Sequence, residues 1–251
     1  MRSNWLMCLG PMARPRARLV CFPHAGGAAT VYRGWSVGEG IEVHALALPG
    51  RSLRLREPPI RELGALVDAI AAELLALEGP LVFYGHSLGA IVAWETAHRL
   101  IAAGRRDLAG LVVAARGAPD SPRFVESIAG LDDRSLVRAL GQLYGADLQA
   151  FEDPELAALV IPSVRTDLAM HDAWQHVPRP PLAIPVLALG GTADIAAPRG
   201  VIEGWRAFTT GPFESQIFTA GHFFLETHRA ELLARLAAWL APLVGPAAGA
   251  R

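Results

Sequence analysis

A chain of 251 residues that is 52% hydrophobic and 19% charged can bury one large core, which excludes a disordered chain or a small disulfide-stapled module. The formal net charge of −1 gives no global attraction to nucleic acid or to an anionic membrane. Two cysteines, Cys8 and Cys21, make no disulfide framework and fit a reducing cytoplasm.

The chain opens with Arg2 and a short apolar run from Trp5 to Leu9, ended by Gly10-Pro11. That run is too short for a secretion signal or a membrane span, and residues 1–16 read as a partly ordered arm. Short apolar runs then alternate with helical patterns, the signature of an α/β protein with a mainly parallel sheet and crossover helices. Strands are predicted over 18–22, 41–47, 81–84, 111–115, 185–189 and 214–218. Helices are predicted over 62–77, 90–102, 199–207 and 227–240. Between 118 and 181 strand signals stop. Helices are expected there over 133–144, behind an aspartate cap, and over 154–174, with Pro162 interrupting. Residues 1–117 and 182–251 thus read as the core, and 118–181 as a helical insertion. In such folds the active site lies at the strand C-termini, so the insertion is expected to form a lid. The small-residue tail from Gly245 reads as frayed.

One turn carries the chemistry. Leu81-Val82-Phe83-Tyr84 leads into Gly85-His86-Ser87-Leu88-Gly89, a Gly-x-Ser-x-Gly turn between a buried strand and a helix. Such a turn lifts a serine hydroxyl above the sheet, and its glycines avoid clashes with the closely packed helix. Because a serine is a poor nucleophile at neutral pH, it needs a base, and the base needs a carboxylate to orient it. In the hydrolase order both follow the serine. Gly190-Gly191-Thr192-Ala193-Asp194 comes just after the fifth predicted strand, and Thr219-Ala220-Gly221-His222 just after the sixth. Asp194 and His222 are therefore the expected acid and base. His228, inside the last helical pattern, is the rival base. Asp120, several residues past a strand end, is the rival acid.

Acyl transfer also needs donors for the developing oxyanion. The Leu88 N–H, just after the nucleophile, is one. The second is expected from the glycine-rich loop Phe22-Pro23-His24-Ala25-Gly26-Gly27, at Ala25. No Lys-Ser/Thr follows that loop to make it a phosphate cradle, and no metal-ligand spacing occurs in the sequence. No cofactor or metal is expected.

Together these residues resemble a known family. The Phe22–Gly27 loop, Leu48-Pro49-Gly50-Arg51 with Glu57-Pro58-Pro59, the serine turn, Arg165-Thr166-Asp167 and Gly221-His222-Phe223-Phe224 look like the stand-alone (type II) thioesterases of polyketide and nonribosomal peptide synthesis. The resemblance spans about 18–240. It implies an α/β-hydrolase fold with a helical lid. It also implies hydrolysis of acyl groups from the phosphopantetheine arm of acyl or peptidyl carrier proteins, clearing stalled or misprimed units. By the same resemblance the triad is Ser87, Asp194 and His222, and the oxyanion donors are Ala25 and Leu88.

Two departures stand out: Trp174 replaces a frequent tyrosine in the lid, which bears on the acyl channel, and Ala220 replaces a glycine. Some chain-terminating thioesterase domains carry their acid where this chain has Ala114-Ala115-Arg116, and no carrier domain precedes residue 18. Both points favour a free-standing protein that hydrolyses over a macrocyclising domain; a monomer is the default expectation, in the cytoplasm, with carrier proteins as partners. The enzymatic rival is a general carboxylesterase or lipase; the rival from another class is a non-catalytic binding protein on the same fold. Arg51, Arg54, Arg56 and Arg61 suggest a basic surface for an acidic carrier helix.

Overall fold

Strands buried on both faces of a parallel sheet read as near-continuous apolar runs, and the central strands do so, while the outer ones carry polar residues such as Glu42, His44, Glu214 and Gln216. The computed structural model describes residues 4–245, so the tail reading, apart from Gly245, lies outside the described residues. In chain order the strands are β1 (Leu6–Cys8), β2 (Ala17–Phe22), β3 (Ile41–Leu46), β4 (Leu81–His86), β5 (Leu108–Ala114), β6 (Val186–Gly191) and β7 (Phe213–Phe218). They form a single sheet of order β1-β3-β2-β4-β5-β6-β7, parallel except for β1.

Alternate residues feed two cores. Val20, Phe22, Leu81, Phe83, Leu111 and Val113 face one layer, which includes α1 (Leu63–Leu75) and α2 (Leu88–Ala102). Leu19, Cys21, Val82, Tyr84, Val112 and Ala114 face the other. All of these side chains are essentially solvent-free, so each aliphatic or aromatic one contributes roughly 1.5–3 kcal/mol by burial.

The insertion carries no strand among the described residues. It holds α3 (Asp133–Tyr144), the short α4 (Gln149–Glu152) and α5 (Pro154–Ala173). The side chain of Asp132 accepts the Ser135 N–H and caps α3, while Gly145 ends it in a left-handed conformation. Pro162 does not break α5, contrary to expectation. It is exposed, so the carbonyl it leaves unpaired can face water. These helices close a small core of their own around Leu136, Leu140, Ile161, Val164 and Leu168.

The C-terminal part holds α6 (Arg199–Glu203), which passes into a 3-10 turn over Gly204–Phe208, then α7 (Phe224–Thr227) and α8 (Arg229–Leu243). The last helix expected from the sequence, over 227–240, is α8, which starts two residues later, after a break at His228. A second difference lies in the N-terminal arm. Leu6–Cys8 is an ordered edge strand, antiparallel to β3, with Cys8 opposite His44. This pairing brings Cys8, Glu42 and His44 together. The Glu42 carboxylate is already occupied by the Met12 N–H at 2.8 Å, Arg18 at 3.3 Å and His44 at 2.5 Å, which makes the cluster an ion-pair network of the sheet edge.

Strand order places the site. The chain runs from β2 outward to β3, then returns across β2 to β4. Where an open parallel sheet reverses direction in this way, a crevice opens beyond the strand C-termini. The glycine-rich loop leaves β2 on one side of that crevice, and the serine turn leaves β4 on the other.

Candidate active site

Ser87 sits in that turn with φ 55° and ψ −118°, a left-handed conformation costly for a residue with a side chain. Its N–H donates to the Ala114 carbonyl at 2.8 Å. The turn is possible only with glycine on either side. A Cβ on Gly85 would lie 2.3 Å from the Gly89 carbonyl oxygen, and one on Gly89 would lie 2.1 Å from that of Phe22. Helix α2 is thereby seated directly against β2 and starts at Leu88.

The acid and base come from the next two loops. Asp194 and His222 are both 4% exposed, and His222 Nδ1 donates to Asp194 Oδ2 at 2.8 Å. The other carboxylate oxygen accepts the N–H groups of Ala196 at 3.0 Å and Ala197 at 3.2 Å. Every Asp194 contact is therefore one that an ionised carboxylate makes, and Nδ1 is committed as a donor. That leaves His222 Nε2 as the acceptor nitrogen. The two loops brace one another, since Thr192 N–H donates to the Phe218 carbonyl and Ala193 N–H to that of Ala220. Gly191 permits this, because a Cβ there would meet the Ala220 oxygen at 2.4 Å.

Ser87, His222, Ala25 and Leu88 line one cavity together, closed from above by Leu140 and Tyr144 of α3 and Leu168 of α5. The Tyr144 ring lies edge-on to His222 at 5.0 Å, and Phe223 does so at 5.1 Å. The rivals fall away. Asp120 is exposed, and His228 meets the Thr227 hydroxyl outside the cavity.

Two further histidines hold the site in shape. His86, inside the serine turn, is fully buried; its Nε2 donates to the His222 carbonyl at 2.9 Å, and Tyr84 donates to its Nδ1 at 3.2 Å. Burial, with His222 and His24 nearby, holds its pKa well below the ordinary histidine value. His24 donates from Nδ1 to the Ala25 carbonyl at 3.0 Å, and burial lowers its pKa to about 4. Both rings stay neutral at neutral pH and place no added charge beside His222.

The Arg51 and Asp167 motifs find their meaning here. Asp167, on α5 and 2% exposed, takes a two-pronged ion pair from Arg51 at 2.6 and 2.8 Å. It also accepts the Gly26 N–H at 2.8 Å. Helix α5 is thus clamped to the loop that carries Ala25, and Gly26 fits only as glycine: its φ is +73°, with Val164 Cγ2 at 2.4 Å from any Cβ.

This corrects the basic-surface reading for two of its four residues. Arg51 is buried in that pair. Arg54 is buried too, stacked 4.3 Å from the Trp5 ring and bound to Glu57 and the Ala47 carbonyl. Only Arg56 and Arg61 are exposed. Trp174 also differs from expectation. It lies outside the cavity lining, with its indole N–H on Glu95 at 2.9 Å.

The family comparison agrees with this geometry. The pattern of the thioesterase domain family matches residues 17–240. A protein of Streptomyces griseus named as a probable cadicidin biosynthesis thioesterase is 38% identical over 231 residues, which cover 90% of this chain but only 63% of that protein. Thioesterase PikA5 of Streptomyces venezuelae is 37% identical over 227 residues, 88% of this chain and 80% of that one. Among solved structures, BorB, a type II thioesterase from the borrelidin biosynthetic cluster, superposes with a TM-score of 0.86 at 33% identity. That match covers 96% of this chain and 100% of BorB. The chain belongs to the thioesterase domain family, and it is a thioester hydrolase on an α/β-hydrolase fold.

Proposed function

We propose that Ser87, Asp194 and His222 are a catalytic triad that removes acyl groups from the phosphopantetheine arm of acyl or peptidyl carrier proteins. The setting is polyketide or nonribosomal peptide synthesis in the cytoplasm, and the role is editing of stalled or misprimed units. One observation carries this reading: an imidazole tied by Nδ1 to a buried carboxylate shares a cavity with a serine on a strained strand-to-helix turn. Likeness to BorB and to the Streptomyces thioesterases supports the pathway.

In this mechanism His222 Nε2 takes the Ser87 proton as the oxygen attacks the thioester carbonyl. The N–H groups of Ala25 and Leu88 hold the oxyanion. As the C–S bond breaks, His222 returns the proton to the leaving thiolate. Water then attacks the acyl-enzyme by the same route, releasing the carboxylic acid and restoring Ser87. Asp194 orients the imidazole and stabilises its transient charge. The helical insertion over 118–181 acts as the lid that keeps bulk water from the acyl-enzyme.

The deciding experiment compares one short acyl chain on a carrier protein, on free pantetheine and as a simple oxyester. Faster turnover of the carrier-bound thioester, lost in Ser87→Ala, is expected. If the oxyester is hydrolysed best and the carrier makes no difference, the protein is a general esterase instead.

A further inference from the structure

One cation in the cavity lacks a counter-charge. Arg116 follows β5 and lines the cavity with Ser87 and His222. Its neighbour Arg123 has a counter-charge, donating to the Asp172 carboxylate at 2.8 Å and to the carbonyls of His171 and Asp172 at 3.1 and 2.6 Å. Arg116 pairs with no carboxylate among the described residues. Its guanidinium meets only His171 Nε2, and its Nε is buried without a partner. The Trp174 ring lies 5.9 Å from the guanidinium carbon, the outer limit of a cation–π contact.

The surrounding groups do not supply the missing charge. Asp172 is taken by Arg123, Ser127 and His171, and Asp194 by His222. Tyr144 and His24 are neutral at neutral pH. Burial and the Arg123 charge lower the Arg116 pKa to about 10, so the group stays cationic at neutral pH. A guanidinium carries five donors, and desolvating them without acceptors is costly. Such a group makes sense where a ligand brings the acceptor.

We propose that Arg116 is a specificity-determining residue that selects acyl chains bearing an oxygen acceptor, a keto carbonyl or a carboxylate, beyond the thioester carbonyl. The inference rests on the thioesterase reading above. It assigns the acyl pocket a polar patch, where Arg116 stands with Ser121, Arg123 and His171, alongside the apolar lining of Leu140, Leu168 and Val201.

The test uses butyryl-, acetoacetyl- and succinyl-pantetheine with the wild type, Arg116→Met and Arg116→Lys. Because acetoacetyl thioesters are intrinsically more reactive, the readout is the variant-to-wild-type ratio of kcat/KM for each substrate. Arg116→Met is expected to lose roughly 10-fold or more on an oxygenated substrate and less than about 3-fold on butyryl, the cost of an unmet polar group. Arg116→Lys should recover part of the loss for succinyl, where a point charge suffices. Whichever arm falls identifies the acceptor. Equal losses on all three substrates would make Arg116 merely structural and overturn the proposal, as would no loss on any. Should Arg116→Met not fold, Arg116→Gln replaces it and is read on the succinyl arm against butyryl, because its amide can still donate to a keto carbonyl but carries no charge. If the wild type hydrolyses none of the three, either on pantetheine or loaded on a carrier protein, the thioesterase reading fails and this inference falls with it.

Discussion

The two sides of the cleft are built from different interactions. Below lies the sheet, whose strand ends hold Ser87, Asp194 and His222 over two cores of solvent-free aliphatic and aromatic side chains. Above lie α3 and α5, whose own core is small and which reach the base through Met170 and a few polar clamps. Arg51–Asp167 ties α5 to the glycine-rich loop. The Ser163 hydroxyl of α5 donates to the Gly50 carbonyl at 2.8 Å, while within the cover itself Arg165 binds Asp133 and the Leu131 carbonyl, both at 2.7 Å, and Arg123 with Ser127 holds Asp172. Apolar burial is non-directional and fixes a rigid base. Ion pairs are directional and discrete, so a cover held by a few of them can be released by a few substitutions.

The largest expected effect is on the lower side. Ser87→Ala should reduce kcat on order of 10⁴-fold or more while leaving the urea midpoint nearly unchanged, because only a hydroxyl on a strained turn is lost. A residual rate within tenfold of wild type would remove Ser87 as nucleophile. The next effect crosses to the upper side. Asp167→Asn leaves Arg51 buried without a counter-charge, and urea unfolding should show a loss of about 3–5 kcal/mol. Activity should fall too, since Gly26 loses its anchor next to Ala25. Arg51→Met combined with Asp167→Leu should recover part of the stability but not the activity. Equal recovery of both would show that the clamp positions nothing.

The two sides also differed in how far the sequence revealed them. The central strands announced themselves as apolar runs, and Ser87, Asp194 and His222 as polar residues at their ends, because strand period and turn chemistry are local signals. Leu6–Cys8 was hidden because three residues of edge strand carry too little periodicity to separate from an arm. Pro162 misled because its cost depends on whether the freed carbonyl meets water, a matter of tertiary exposure. Arg51 and Asp167 stand 116 positions apart, and nothing local distinguishes a buried guanidinium from a solvated one. A motif match singled both out without giving their role. Arg116 was noticed only as the place where an acid is absent.

A pH titration separates the sides further. His24 below and His171 above each have a pKa near 4, His24 mainly through burial, His171 through burial with Arg116 and Arg123 close by. The unfolded chain takes up those protons near pH 6.5, while the native state resists until about 4. Stability from each is therefore complete above about pH 6.5 and lost as pH falls toward 4, up to about 3 kcal/mol apiece. Urea unfolding at pH 7.5 and 4.5 should show the decline, and His24→Gln and His171→Gln should each flatten it. A decline unchanged in both variants would locate the acid sensitivity elsewhere.

The smallest expected effect lies at the rim where the two sides meet. Arg61 borders a groove shared with Ala169 and Met170 of α5, and Arg56 stands exposed near it in sequence. Both are exposed, unlike the buried Arg51 and Arg54, so their charge is free to act at a distance. An acidic carrier protein approaching this rim would gain from both. Arg56→Glu with Arg61→Glu should lower kcat/KM on a carrier-bound substrate a few-fold at low salt, through KM and association rate. The loss should fade at high salt and be absent on free pantetheine, which lacks the acidic surface. An unchanged kcat/KM on the carrier substrate at low salt would leave this rim as an ordinary solvated edge. The same reversal at Arg54 could not serve as the test, because a glutamate there would be buried against Trp5 and the Ala47 carbonyl and would unfold the arm.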